Sequence, residues 1–123
     1  MATILVVEDD PDTCESISRL LRKSDHVPIC AADGQQAMAA LVDEKPQLVL
    51  LDLKIPEMDG LTFLNVVRSY LRWTTLPVIV ITGINDPEMD QQAMKLGVKR
   101  VFHKTRLDLT ELLEAVNNEL AIA

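Results

Sequence analysis

The segment Leu48-Val-Leu-Leu-Asp52 places the tightest limit on how this chain can fold. Its apolar run is long enough for a strand buried on both faces. Such strands occur in parallel sheets flanked by helices. The run ends in one carboxylate, and a turn built from Pro56, Asp59 and Gly60 follows. An acidic residue at the C-terminal end of a buried parallel strand stands where open α/β sheets bind their ligands.

The rest of the chain alternates in the same manner. Extended patterns are expected at 4–7, 27–31, 48–53, 77–82 and 100–103, and helical patterns at 11–23, 34–44, 61–71, 87–96 and 109–120. Cys14, Ile17, Leu20 and Leu21 share one face of the first helix. Ala37, Ala40 and Leu41 point inward from the second, and Leu61, Leu64 and Val67 from the third. In the last, Leu109, Leu112, Leu113, Val116 and Leu120 repeat at helical spacing. Gly97 is placed to cap the fourth. This alternation predicts an α/β fold: a doubly wound, five-stranded parallel sheet with five helices and flavodoxin-like strand order 2-1-3-4-5. With no linker, repeat or low-complexity tract, residues 1–123 read as one domain.

In that order the switch point falls between the first and third strands. These are followed by Glu8-Asp9-Asp10 and by Asp52. Several carboxylates in a small volume need a compensating cation or large pKa shifts. All-oxygen ligands suit a hard divalent ion, and Mg²⁺ is held by one or two carboxylates with water and phosphate. Asp10-Pro11 has the form of an N-cap followed by proline at the first helical position. Asp10 is therefore assigned to the cap, and Glu8 and Asp9 to the cation.

Thr82 and Lys104 close the fourth and fifth extended runs and are expected at the same sheet edge. A carboxylate nucleophile, a divalent ion, a hydroxyl and an ammonium together suit phosphoryl transfer, which needs mostly positioning and charge stabilisation.

Composition narrows the alternatives. A net charge of −7 argues against binding nucleic acid or an anionic membrane surface. Apolar residues make up 48%, enough for a core, and aromatics only 3%, so the core is aliphatic. No segment approaches the roughly 20 apolar residues of a membrane span, and the N-terminus has no basic-then-apolar signal pattern. A cytoplasmic location is expected. Cys14 and Cys30 form no disulfide framework and are expected as buried, reduced thiols. His26 and His103 have no metal-ligand spacing.

Ile-Leu-Val-Val-Glu-Asp-Asp-Pro11, Leu-Leu-Asp-Leu-Lys-Ile-Pro-Glu-Met-Asp-Gly60, Pro-Val-Ile-Val-Ile-Thr-Gly83 and Lys104 resemble the receiver domain of two-component response regulators, over essentially the whole chain. The resemblance implies that Asp52 accepts a phosphoryl group from a phosphohistidine on a sensor histidine kinase or phosphotransfer protein. It implies that Glu8, Asp9, Asp52 and the backbone carbonyl of Lys54 hold Mg²⁺, and that Thr82 and Lys104 contact the phosphoryl oxygens. It also implies a downstream protein target, and that Lys54 and Ile84 tune the lifetime of the phosphate. Such a domain catalyses only its own phosphorylation and dephosphorylation.

Three positions depart from the family's pattern. Thr105 follows Lys104 in place of proline, so a trans or strained loop is expected. Val101 stands at the usual aromatic position, with Phe102 on the opposite side of the strand. Gly83 replaces alanine. These departures motivate one alternative, a degenerate receiver that binds partners constitutively. A haloacid-dehalogenase-type phosphatase is a second alternative, but Lys54 occupies the place of its acid/base carboxylate. A dinucleotide site lacks the glycine fingerprint.

Overall fold

The computed structural model describes residues 2–56 and 59–122. The chain runs β1 (Thr3–Val7), α1 (Pro11–Arg22), β2 (Val27–Ala31), α2 (Gly34–Glu44), β3 (Leu48–Leu51), α3 (Gly60–Arg68), β4 (Val78–Thr82), α4 (Pro87–Lys95), β5 (Arg100–His103) and α5 (Leu109–Ile122). Short 3-10 turns lie at Leu71–Trp73 and Lys104–Arg106.

Each helix starts on an aspartate. Asp10, Asp33, Asp59, Asp86 and Asp108 accept hydrogen bonds of 2.8–3.4 Å from backbone N–H groups of the turn that follows. These bonds satisfy donors that have no partner inside the helix. They also put negative charge where the helix dipole favours it.

All five strands are parallel, in the order β2-β1-β3-β4-β5. Alternation along the strands builds two cores. Leu5, Val7, Val49, Leu51, Val78 and Val80 pack with Leu41, Phe63, Leu64 and Ala93 from α2, α3 and α4. Ile4, Val6, Leu50, Ile79, Ile81 and Phe102 pack with Ile17, Leu21, Leu112 and Val116 from α1 and α5. Val101 and Phe102 lie against opposite cores, as expected. His26 ties β2 to the ends of the chain: its Nδ1 accepts from Ala2 N–H at 3.2 Å, and its Nε2 lies 2.8 Å from Asn117 Oδ1.

Several expectations are corrected. Cys14 and Cys30 are not reduced thiols; they are joined in a disulfide with Cα atoms 6.5 Å apart, and Cys30 is exposed. The reason is topological. β2 is an edge strand, and α1 packs across it, bringing the two side chains together in a way their spacing could not show.

The third helix ends at Arg68, short of residue 71. There the Arg68 guanidinium turns inward, donating from Nε to Leu96 O at 2.7 Å and from a terminal nitrogen to Trp73 O (2.8 Å) and Leu76 O (2.7 Å). Burial pushes its pKa down. Phe63, absent from the expected inward face, is buried, whereas Leu61 and Ala40 are half-buried. Leu109, at the first position of α5, is exposed. β3 ends at Leu51 because the chain then turns to bring Gly60 beneath it, where Gly60 N–H donates to Leu53 O at 2.8 Å. Of the turn after Asp52, Glu57 and Met58 lie outside the described residues.

Candidate functional site

Strand register places the carboxylates. Val7 of β1 pairs with Leu51 of β3, so Glu8 and Asp52 leave neighbouring strands at the same level. Backbone bonds hold both exits: Glu8 N–H donates to Ala31 O at 2.9 Å, and Asp52 N–H to Val7 O at 3.0 Å. Both side chains are buried, while Asp9 is exposed. Glu8, Asp9 and Asp52 each offer an oxygen within 4.8 Å of the others'.

Gly60 lets the chain close behind Asp52. A Cβ at this position would lie 2.8 Å from the Asp52 carbonyl oxygen and closer still to Leu53 Cα. Only glycine permits that approach.

Lys104 reaches the cluster from the end of β5. Its Nζ lies 2.9 Å from Asp52 Oδ2 and donates to Glu8 Oε1 as well. Asp52 Oδ1 accepts the Lys54 N–H at 3.0 Å. Glu8 Oε2 accepts the Asp10 N–H at 3.2 Å. Among the described residues there is no cis peptide bond, so the chain passes from Lys104 to Thr105 in trans, within a 3-10 turn.

Burial pushes the Glu8 carboxyl above its ordinary value, with the Asp52 charge adding to the rise and the Lys104 and Asp10 hydrogen bonds opposing it. For Lys104, burial favours the neutral amine, but bonding to Glu8 and Asp52 outweighs it and the ammonium is held above its ordinary value. Asp10 caps α1 as expected. The hydrogen bond from the Thr13 hydroxyl leads in lowering its pKa.

Glu8, Asp9, Asp10, Asp52, Lys54, Gly83, Ile84 and Lys104 line a cavity of 340 Å³. Thr82 is fully buried at the end of β4, and its Oγ1 accepts the Ile84 N–H at 3.0 Å. The hydroxyl proton remains available to donate. The structure thus brings together Glu8, Asp9, Asp52, Lys54 and Lys104, with Thr82 just behind the wall. The bond from Lys104 to Glu8 was not foreseen; the residue order of the strand ends carries no signal for it. Gly60 was expected only as a turn residue. The donor set fits a hard divalent cation: three carboxylates converge, and one ammonium offsets only part of their charge.

Comparison with known proteins agrees with this geometry. The sequence model of the response regulator receiver domain matches residues 4–117. Sporulation initiation phosphotransferase F of Bacillus subtilis is 33% identical over 97% of this chain and 94% of its own length. A protein-glutamate methylesterase/protein-glutamine glutaminase of Myxococcus xanthus is 32% identical over 96% of this chain but only 34% of its own length. The chain therefore spans nearly all of some relatives and about a third of others. A putative response regulator from Chloroflexus aurantiacus superposes with a TM-score of 0.90 at 28% identity, covering 98% of each chain. Strand order, the acidic cluster beside Asp52 and the family match agree, and the chain belongs to the receiver domain family of two-component response regulators.

Proposed function

We propose that residues 1–123 form one receiver domain that accepts a phosphoryl group on Asp52 from a phosphohistidine of a sensor histidine kinase or phosphotransfer protein. The similarity to a sporulation initiation phosphotransferase supports that donor chemistry. The observation that carries the reading is the setting of Asp52. Its two oxygens accept from different donors, Oδ1 from Lys54 N–H and Oδ2 from Lys104 Nζ, next to Glu8 and Asp9.

Glu8, Asp9, Asp52 and the Lys54 carbonyl are the groups that would hold Mg²⁺. When bound, the ion neutralises charge on the transferring phosphoryl group. In the transfer an Asp52 oxygen bonds phosphorus while the P–N bond breaks, its electron pair remaining on the imidazole. The Asp52 carboxylate is aimed by the Lys54 N–H, and Lys104 is within reach of oxygens gathered on it. The Thr82 hydroxyl, two residues from Ile84 on the cavity wall, is drawn toward the new charge. That motion pulls the loop from Gly83 and biases the α4–β5–α5 surface toward a downstream protein. The module acts on its own phosphoryl group alone, in the cytoplasm. Among the described residues no helix is long and apolar enough to cross a membrane.

The test is incubation with acetyl phosphate and Mg²⁺, followed by intact-mass measurement. One phosphoryl adduct on the wild type and none on Asp52→Asn is the expected result. No adduct with any small phosphodonor sinks the reading.

A further inference from the structure

A second concave surface lies at the other end of the sheet, where the chain enters β3 and β4. Leu41, Val42, Lys45, Arg72, Trp73 and Leu76 are among the residues lining a cleft of 490 Å³. Asp52 is six strand positions from Pro46, about 20 Å at about 3.3 Å per residue.

Three observations mark this cleft as built for a partner. The first is its side chains. The chain has two phenylalanines, one tyrosine and one tryptophan, and Tyr70 and Trp73 sit together here. Their ring centroids are 5.1 Å apart, edge to face, and the Arg72 guanidinium lies 4.5 Å from the Trp73 centroid. Trp73 is mostly buried in the core and offers the cleft only part of its surface, while Arg72 stacked on it and the half-exposed Tyr70 beside it are residue types that anchor protein interfaces.

The second observation is exposed apolar surface. Leu71 is 92% exposed, and Tyr70 and Val42 are about half exposed. Tyr70 and Leu71 lie outside the lining of the cleft and next to Arg72 and Trp73 in the chain, so they carry exposed apolar surface that a small molecule in the cleft would leave uncovered. An uncovered apolar patch of this kind marks a protein contact.

The third is charge. The chain carries −7 overall, yet the charged residues lining this cleft are Lys45 and Arg72. Asp43 and Glu44 precede Lys45 but do not line it. Among the described residues neither cation makes an ion pair with a carboxylate. Lys45 also holds left-handed backbone, φ 49°, at the end of α2, a position that glycine occupies at lower cost.

We propose that this cleft is a docking site for an acidic protein segment carrying an apolar anchor, used whether or not Asp52 is phosphorylated. The anchor lies between Trp73 and the Leu41–Val42 wall, and flanking carboxylates meet Lys45 and Arg72.

Trp73 is the sole tryptophan, so its fluorescence reports the site directly. The probe is the capped hexapeptide Asp-Glu-Leu-Phe-Asp-Glu, with Lys-Lys-Leu-Phe-Lys-Lys and 3-phenylpropionate as comparators. A saturable Trp73 response to the acidic peptide is expected, weakening as salt rises and unchanged when the wild type is first treated with acetyl phosphate and Mg²⁺. The pair Lys45→Glu/Arg72→Glu should weaken it at least about tenfold, which is about 1.4 kcal/mol. Val42→Asp, on an exposed helix position that does not threaten folding, should weaken it by a similar factor. No saturable response, or equal binding of the basic peptide, overturns the proposal. So does 3-phenylpropionate binding as tightly as the peptide, which would assign the cleft to a small carboxylate. An affinity that changes more than threefold on treatment with acetyl phosphate and Mg²⁺ would tie the response to phosphorylation and also overturn it.

Discussion

Lys104 Nζ lies 2.9 Å from Asp52 Oδ2 although the two residues are 52 positions apart, and the same ammonium donates to Glu8. One cation thus occupies oxygens that a divalent ion would use. Lys104→Met should raise Mg²⁺ affinity, since the competitor is removed. Without Mg²⁺ it should lower stability by about 1–3 kcal/mol, because the buried carboxylates of Glu8 and Asp52 lose a charged hydrogen-bond donor. Magnesium titration and urea unfolding in EDTA check the two effects; lower Mg²⁺ affinity in the variant would count against competition.

The Glu8 pKa sets a pH dependence of opposite sign to the usual carboxylate. Its folded value is raised above about 4.5, chiefly by burial. Between the two values the folded state binds more protons than the unfolded state, so without metal stability rises as pH falls through that window. Mg²⁺ affinity should begin to fall on acidification before pH reaches 4.5, and Glu8→Gln should flatten the stability slope. For Lys104, also raised, the contribution is fully present below about 10.5 and is lost as pH rises through the folded value. Unfolding midpoints measured across pH in EDTA test both.

Gly60 and Gly83 should respond differently to alanine. At Gly60 the new methyl meets the backbone of Asp52 and Leu53, and overpacking of this kind costs about 1–3 kcal/mol or more. Because it displaces Asp52, phosphorylation by acetyl phosphate should slow as well. At Gly83 the nearest atom to the added Cβ is Lys104 Cδ at 3.8 Å, ordinary contact, and φ is not positive. Gly83→Ala should therefore be neutral or stabilising by up to about 1 kcal/mol. Denaturant unfolding of both variants decides.

The Cys14–Cys30 link closes a separation of 16 residues between α1 and an edge strand. A loop of about that size is stabilised by about 3 kcal/mol in the chain-entropy account. Dithiothreitol should lower the unfolding free energy by up to that amount, and Cys14→Ala/Cys30→Ala should remove the effect. Two free thiols found by alkylation of the oxidised protein would contradict the link.

Arg68 donates to the carbonyls of Trp73, Leu76 and Leu96. Arg68→Met keeps the stem but leaves those acceptors without their donor. A loss of about 1–3 kcal/mol is expected, with amide exchange quickening first around Leu71–Trp73 and the end of α4. Unchanged exchange there would show that water replaces the guanidinium.

The strand order and most element boundaries were legible because burial on both faces leaves a continuous apolar run, and helices leave a 3.6-residue period. α2 spans residues 34–44 as read from the sequence alone. The strand-end acids were legible because parallel strands put all their C-termini on one edge. The aspartate caps of α2 through α5 were equally visible, but only Asp10 was read in that way. The early end of α3 was not, and there the Arg68 guanidinium bonds to carbonyls up to 29 residues away, which no local pattern announces.

The sequence by itself determined which chemical groups reach one edge of the sheet, because local periodicity and strand polarity are written in neighbouring residues. Only the tertiary structure decided which atoms meet there. Lys104 on Glu8, Cys14 on Cys30, and Gly60 under Asp52 are contacts between distant segments, and their geometry follows from strand register and helix packing rather than from any local pattern.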